Sequence, residues 1–173
     1  KSFARNLMMN SGLEIFSPKY KLFNGKTVRV ELEIRKYIEN ELGGSKNYVI
    51  KCNGLCGGKG VKVAEEHLET IDNGIEFCKE IFHKNQNVLI EERLIGQEFS
   101  LFSFTDGITC THMPIAQDYK RAYEGNTGPN TGGMGSITYA NGSMPFLTND
   151  DIQTVHTINE RIVNKLYETS GQY

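Results

Sequence analysis

Apolar residues recur along the chain at two spacings, and those spacings divide it into elements. Phe3 and Leu7 lie four apart with Gly12 behind them as a C-terminal cap, which predicts a helix over 2–11. A short strand is expected near 13–16. Between 29 and 41, Val30, Ile34, Tyr37 and Ile38 share one helical face, and LGGS ends the pattern before YVIK, a strand at 48–51. A glycine loop at 53–60 leads into the alternating run VKVA. Leu68, Ile71, Ile75, Cys78 and Phe82 then follow at helical spacings of three and four. NVLIEE at 87–92 reads as a buried strand, and QEFSLFSFTDGITCTHM from 97 as two strands around a turn at Asp106 and Gly107. At Thr148, TNDD forms a capping-box pattern, and Ile152, Val155, Ile158 and Ile162 extend a helix to about Glu168.

The first half thus mixes helix and strand, as a small sheet with helices on one face, and the second half is dominated by antiparallel strands and loops. The joint falls near 92–96. Helix and strand alternate only in the first half, which favours α+β packing over a doubly wound parallel sheet. Two α+β subdomains with a cleft between them are expected.

Composition narrows the function classes. With 38% hydrophobic and 23% charged residues and a net charge of −2, the chain has the make-up of a soluble domain with one sizeable core or two small ones. It has no apolar run of membrane-spanning length, and its amino end, KSFARNLMMN, lacks the apolar core of a signal peptide. The expectation is a cytoplasmic protein with no membrane partner. A slightly acidic balance without a long basic block argues against nucleic acid as a partner, while Asp118, Tyr119, Lys120 and Arg121 suit one small anion. Cys52, Cys56, Cys78 and Cys110 form no CxxC pair and are expected buried and reduced. His67, His83, His112 and His156 are scattered, so no metal ligands are assigned. Lys1 is not a start methionine and GQY follows a helical pattern directly, so a piece of a longer protein is expected.

Two glycine-rich stretches carry the candidate chemistry. KCNGLCGGKGV at 51–61 is not a Walker A loop, because Asn53 and Gly60 stand where glycine and serine or threonine are required, and no set of its glycines gives GxGxxG. Its side-chain-free residues still let backbone N–H groups turn towards a phosphate, and Lys51 and Lys59 add positive charge. The alternative is a flexible hairpin turn kept soluble by its lysines. In IEERLIGQE at 90–98, carboxylates end a strand and Glu98 follows a turn; such acceptors suit ribose hydroxyls and an adenine amino group, or else a solvated strand end. The second stretch, TGPNTGGMGS at 127–136, packs four glycines into ten positions with almost nothing to bury and reads as a second polar loop.

KCNGLCGGKGV, VLIEERLIGQEFS, PIAQDYKR and TGPNTGGMG, in this order, resemble the ATP-grasp core of the phosphoribosylamine–glycine ligases, also called glycinamide ribonucleotide synthetases. QDYKR followed closely by TGPNTGGMG is the specific part. The resemblance covers nearly the whole chain and is weakest at about 20–47. It implies a partial ATP-grasp fold: 1–12 as a helix of the larger subdomain, 13–92 as the lid subdomain, and 93–173 as an incomplete larger subdomain with substrate loops, around a nucleotide cleft. The implied reaction activates glycine with ATP as a glycyl phosphate. The amine of 5-phosphoribosylamine then displaces phosphate, giving glycinamide ribonucleotide in purine biosynthesis.

By the same resemblance, Lys51 and Lys59 serve catalysis, and Lys1 is a second cation at the ATP phosphates. Gly57, Gly58, Lys59 and Gly60 form a loop over the triphosphate. Glu91 with the backbone of Glu92 and Leu94 faces adenine, and Glu98 binds ribose. Asp118, Lys120, Arg121, Asn130, Thr131, Gly132, Gly133 and Met134 meet phosphoribosylamine and glycine. Departures from the family pattern are Asn53 for aspartate, Cys56 and Gly57 for small alanines, and Tyr119 for histidine. The Mg2+ ligands are expected beyond Tyr173, so the chain is expected to be inactive alone, with the remaining domains of its parent enzyme as partners. Another ATP-grasp carboxylate–amine ligase, or a non-catalytic nucleotide-binding module, remains open.

Overall fold

The computed structural model describes residues 1–56 and 60–170. The chain divides into two compact units, Lys1–Ile95 and Gly96–Tyr173. In the first, α1 (Ser2–Asn10) is followed by a 3-10 turn at Glu14–Phe16, β1 (Tyr20–Phe23), α2 (Val30–Lys36) and a π-helical turn at Tyr37–Glu41. Next come β2 (Tyr48–Cys52), β3 (Val61–Val63), α3 (Ile71–His83) and β4 (Val88–Glu92). The four strands form one antiparallel sheet in the order β1-β4-β2-β3.

Alternation along the central strands gives the sheet two different faces. Tyr48, Ile50 and Cys52 of β2, with Val88 and Ile90 of β4, are buried in a core with Ile34, Ile38, Ile75 and Cys78 from the helical segments. Burying each such isoleucine stabilises by about 1.5–3 kcal/mol, which holds the helices to this face. Val49, Lys51, Leu89 and Glu91 take the alternate positions, paired as Val49 with Glu91 and Lys51 with Leu89. A carboxylate and an ammonium thus lie on the face opposite the helical core.

Thr70 caps α3, its hydroxyl accepting the Asn73 N–H at 3.1 Å while Asn73 Oδ1 accepts the Thr70 N–H at 3.2 Å. Gly74, in the first turn, admits the ring of Tyr48: a Cβ there would lie 2.9 Å from the phenol oxygen, which instead donates to the Thr70 carbonyl at 3.2 Å. That cap explains why Leu68, expected on the helix, sits before it, in a turn where its carbonyl accepts the Glu65 N–H.

Other expectations need correction. The strand at 13–16 is a 3-10 turn whose backbone bonds are local, from Phe16 to Leu13 and from Ser17 to Glu14; only Leu13 is buried there, so the apolar run has no face to cover. β1 lies further on. Cys52 and Cys56, expected reduced, are joined in a disulfide, while Cys78 is buried and free and Cys110 is half-buried and free. The chain turns back after β2 and brings the two Cα atoms to 6.6 Å, within disulfide reach without a CxxC spacing.

The second unit contains β5 (Ser103–Thr105) and β6 (Cys110–His112), a hairpin around Asp106 and Gly107. β7 (Gln117–Tyr123) and β8 (Thr127–Ile137) form a second hairpin, and α4 spans Asn149–Ser170. Asp106 Oδ1 accepts the N–H groups of Ile108 and Thr109 at 2.9 and 2.8 Å, which closes the first turn. Thr148 and Asp151 exchange the capping contacts that start α4. Asn159 donates to Ser103 Oγ at 2.8 Å, and the Ser103 hydroxyl lies 2.7 Å from His112 Nδ1. His112 Nε2 faces Glu160 at 3.4 Å, and His156 stacks on the His112 ring at 4.0 Å, so a polar chain fastens α4 to the β5–β6 hairpin. Burial first, and the neighbouring His112 second, hold His156 below its ordinary 6.5.

β8 is the largest difference from expectation, because TGPNTGGMGS is strand rather than loop. It pairs with β7 from Gln117 opposite Ile137 to Tyr123 opposite Thr127, with register irregularities on either side of Arg121. Both strands are largely exposed, so the pairing rests on backbone hydrogen bonds and leaves no apolar alternation. Gly133 and Gly135 adopt φ of +142° and +134°, and a Cβ on either would meet nothing within 4 Å.

Candidate functional site

In the first unit the candidate residues meet where β2 and β4 run past the start of α1. Glu91, on β4, is buried, its side chain only 3% exposed. Arg5 of α1 grips it with two bonds, Nε to Oε1 at 2.7 Å and Nη2 to Oε2 at 3.0 Å. Lys51 of β2 reaches the same carboxylate, Nζ to Oε2 at 2.5 Å. Burial alone would raise the Glu91 carboxyl, but the hydrogen bonds and charges of Arg5 and Lys51 outweigh it and hold the group below its ordinary 4.5. Two cations share one carboxylate, so the cluster carries a net positive charge.

Around this cluster the backbone turn after β2 is tied to α1. Lys1 Nζ donates to the Gly54 carbonyl at 2.9 Å, and the Ser2 N–H donates to Asn53 Oδ1 at 2.8 Å. Asn53 in turn donates to Ser2 Oγ at 3.0 Å and from its own N–H to the Asn87 carbonyl at 2.9 Å. Lys1, Lys51 and the 53–54 backbone therefore belong to one hydrogen-bonded region. Gly57, Gly58 and Lys59 lie outside the described residues. Gly60 is buried, and its carbonyl accepts the Cys52 N–H at 2.7 Å; a Cβ on it would run into Cys52 and Cys56. Glu92 accepts the Lys19 N–H at 3.2 Å, and Leu94 is exposed. Arg93 is anchored on the Ala64 carbonyl at 2.8 Å with Glu65 and Glu66 as further partners, which steadies the strand exit.

The disulfide in this region has a direct chemical readout. Denatured without reductant, the chain is expected to take up maleimide at Cys78 and Cys110 alone, two adducts, and after reduction at all four cysteines. Mass spectrometry showing four adducts before reduction would contradict the pairing.

In the second unit, Asp118 and Lys120 of β7 form an ion pair at 2.9 Å. The hydrogen bond between them lowers the Asp118 carboxyl and raises the Lys120 amine. Arg121 donates to the Gly128 carbonyl at 2.9 Å and stands opposite Asn130 in the ladder. The Gly133 N–H donates to Thr131 Oγ1 at 3.1 Å; Gly132 and Met134 are exposed. One hairpin thus carries Asp118, Lys120, Arg121, Asn130, Thr131, Gly132, Gly133 and Met134. The backbone carbonyl of Glu98 accepts from Gln117 Nε2 at 3.1 Å.

Sequence reasoning missed Arg5. The available signal was its place four residues after Lys1, on the same face of the first helical turn. Among the described residues no group of three His, Cys, Asp or Glu side chains is placed to hold a metal. No helix among them is long and apolar enough to cross a membrane. A concavity of about 750 Å³ lined by Asn24, Lys26, Phe82, His83, Asn85 and Gln86, among others, contains none of the candidate residues.

Comparisons with known proteins give the family and the fold. The family profile for the phosphoribosylglycinamide synthetase ATP-grasp (A) domain matches residues 1–173. The chain is 39% identical to the phosphoribosylamine–glycine ligase of Methanocorpusculum labreanum over 173 residues, covering 100% of the chain and 37% of that protein. It is 41% identical to the Methanosarcina acetivorans ligase of the same description over 171 residues, covering 99% and 36%. The crystal structure of phosphoribosylamine–glycine ligase from Thermotoga maritima superimposes with a TM-score of 0.75 at 25% identity, over 98% of this chain and 40% of that one. D-alanine–D-alanine ligase from Bacillus anthracis complexed with ATP gives 0.60 at 19% identity, over 96% and 45%, which is a likeness of fold alone. The fold is α+β and of the ATP-grasp type, in the part that the chain spans.

Proposed function

The chain belongs to the phosphoribosylglycinamide synthetase ATP-grasp domain family, and from that premise we propose that it supplies the nucleotide and substrate residues of a phosphoribosylamine–glycine ligase. It spans 37% of the length of the first such relative, and the remaining domains of its parent complete the enzyme. In this reading 13–92 is the lid subdomain, and 1–12 with 93–173 belongs to the larger one. The setting is the cytoplasm.

The observation that carries the reading is the Arg5–Glu91–Lys51 cluster. Two cations on one buried carboxylate leave positive charge beside a turn of the backbone, as a polyphosphate requires. Lys51 and Lys1 meet the ATP phosphates, with Lys59 and Gly57, Gly58 and Gly60 beside them. The strand end at Glu91, with the backbone of Glu92 and Leu94, forms the adenine-facing hinge, and Glu98 meets ribose. The β7–β8 hairpin offers Lys120 and Arg121 to the phosphate of phosphoribosylamine. Asp118 and the residues Asn130 to Met134 contribute acceptors and backbone donors for the amine and glycine.

The chemistry then needs no protein nucleophile. A glycine carboxylate oxygen attacks the γ-phosphorus as ADP leaves, and the amine of phosphoribosylamine attacks the resulting acyl carbon as phosphate leaves. The chain's residues position the reactants and neutralise charge in these steps. The described residues offer no ligand set for Mg2+. The D-alanine ligase likeness keeps other carboxylate–amine ligases as a second reading at the level of fold.

The test joins two measurements. In the natural protein that contains this chain, ADP release is expected to require glycine and 5-phosphoribosylamine together; release with other acceptors instead would move the protein to another ligase. In the 173-residue chain, Lys51→Ala and Glu98→Ala are each expected to weaken ATP binding by about tenfold or more, the worth of one charge-assisted contact. Calorimetric titration giving wild-type affinity in both variants would remove the assigned roles.

A further inference from the structure

We infer that Arg5 is a positioning residue for the nucleotide phosphates: by gripping both oxygens of Glu91 from α1, it leaves the charge of Lys51 available to a polyphosphate. The inference rests on the nucleotide reading above and adds a residue to it.

Lys51 alone beside Glu91 would form a neutral pair. The carboxylate lies 2.5 Å from its Nζ and is nearly sealed from water, so solvent does not neutralise it in the lysine's place. Arg5 changes this balance. Its guanidinium approaches side-on, through Nε at 2.7 Å and Nη2 at 3.0 Å, a two-point grip that a single ammonium does not reproduce. Glu91 Oε1 is then given to Arg5, while Oε2 is shared between Arg5 and Lys51. The ammonium of Lys51 carries three N–H donors, and one contact to Oε2 leaves the others for a ligand.

Position supports the same role. The Arg5 and Lys51 side chains are each 26% exposed while Glu91 is buried, so the anion is on the inside and the cations are on the accessible side. α1 also holds its own first residues on the 53–54 turn, through Lys1 to Gly54 and Ser2 to Asn53. One helical turn therefore brings Lys1 and Arg5 to the same place, and Arg5 acts through Glu91 on Lys51.

A purely structural Arg5 would only staple α1 to the sheet, and the two roles differ in which ligands they affect. Titrate the natural protein that contains this chain with ATP, tripolyphosphate and adenosine, as wild type, Arg5→Ala and Arg5→Lys. Arg5→Ala is expected to weaken ATP and tripolyphosphate by roughly tenfold, one charge-assisted contact, and to leave adenosine within about twofold. Arg5→Lys restores the cation without the two-point grip and is expected to recover only part of the loss. Should Arg5→Ala fail to fold, judged by circular dichroism, Arg5→Gln gives the same comparison with the side-chain length nearly kept. An equal loss for adenosine and tripolyphosphate makes Arg5 a staple and overturns the inference, as does unchanged ATP affinity. Wild-type protein that binds none of the three ligands overturns the nucleotide reading and takes the inference with it.

Discussion

Replacing Ile90 by alanine is expected to cost the first unit about 4 kcal/mol, in the upper part of the range for deleting a buried isoleucine side chain. Ile90 is fully buried on β4, paired in register with Ile50 of β2 and flanked by β1 on the other side. A strand held on both sides has little freedom to move into a cavity, so the void persists and the penalty stays high. Against a total stability of about 5–15 kcal/mol for a domain, such a loss takes much of the margin. Ile90→Val, which removes one methylene, is expected to cost only about 1 kcal/mol. Urea unfolding followed by circular dichroism checks both; a loss below about 1 kcal/mol for the alanine variant would show a core that closes around the gap.

The neighbouring residue, Glu91, is expected to be nearly as sensitive for a different reason. Removing one member of a buried ion cluster costs about 3–5 kcal/mol because the partners keep their charge, and the partly exposed Arg5 and Lys51 place Glu91→Ala near the lower end. Glu91→Gln keeps the shape and isolates the charge. The pH dependence follows from the direction of the shift: the folded-state carboxyl lies below its ordinary 4.5, so the unfolded chain binds its proton first as the pH falls. The stabilisation is present above 4.5 and is lost as the pH falls through the folded-state value. The stability gap between wild type and Glu91→Gln is therefore expected to be full near about pH 7 and to shrink towards about pH 3. A gap independent of pH over that interval would mean that the carboxylate charge is not what stabilises the cluster.

Ile90 and Glu91 also mark what the sequence could and could not reveal. Ile34 and Ile38, Ile75 and Cys78, and Val88 and Ile90 in the run at 87–92 announce a buried face through their spacing, and the structure buries them together. Glu91 was visible as a strand-end acid, but its partner Arg5 lies 86 residues away, and spacing carries no information about contacts across such a separation. β8 escaped for the opposite reason: a strand exposed on both faces has no alternation to read, and its pairing lies in backbone groups that every residue shares. The Cys52–Cys56 bond was hidden because it depends on the chain folding back, which no two-cysteine motif encodes. Of the candidate site, residue types were legible and partnerships were not.

The conformations of Gly133 and Gly135 bear on how a substitution scan of the β7–β8 hairpin should be interpreted. At φ of +142° and +134° an L-residue is disfavoured by chirality, although the surrounding space is open. Intolerance of every natural side chain at these two positions would therefore report the handedness of amino acids rather than contact with glycine or phosphoribosylamine. A D-alanine introduced by chemical synthesis suits the same backbone region, and only a loss of function in that mirror-image variant would mark either position as one where the ligand needs the room.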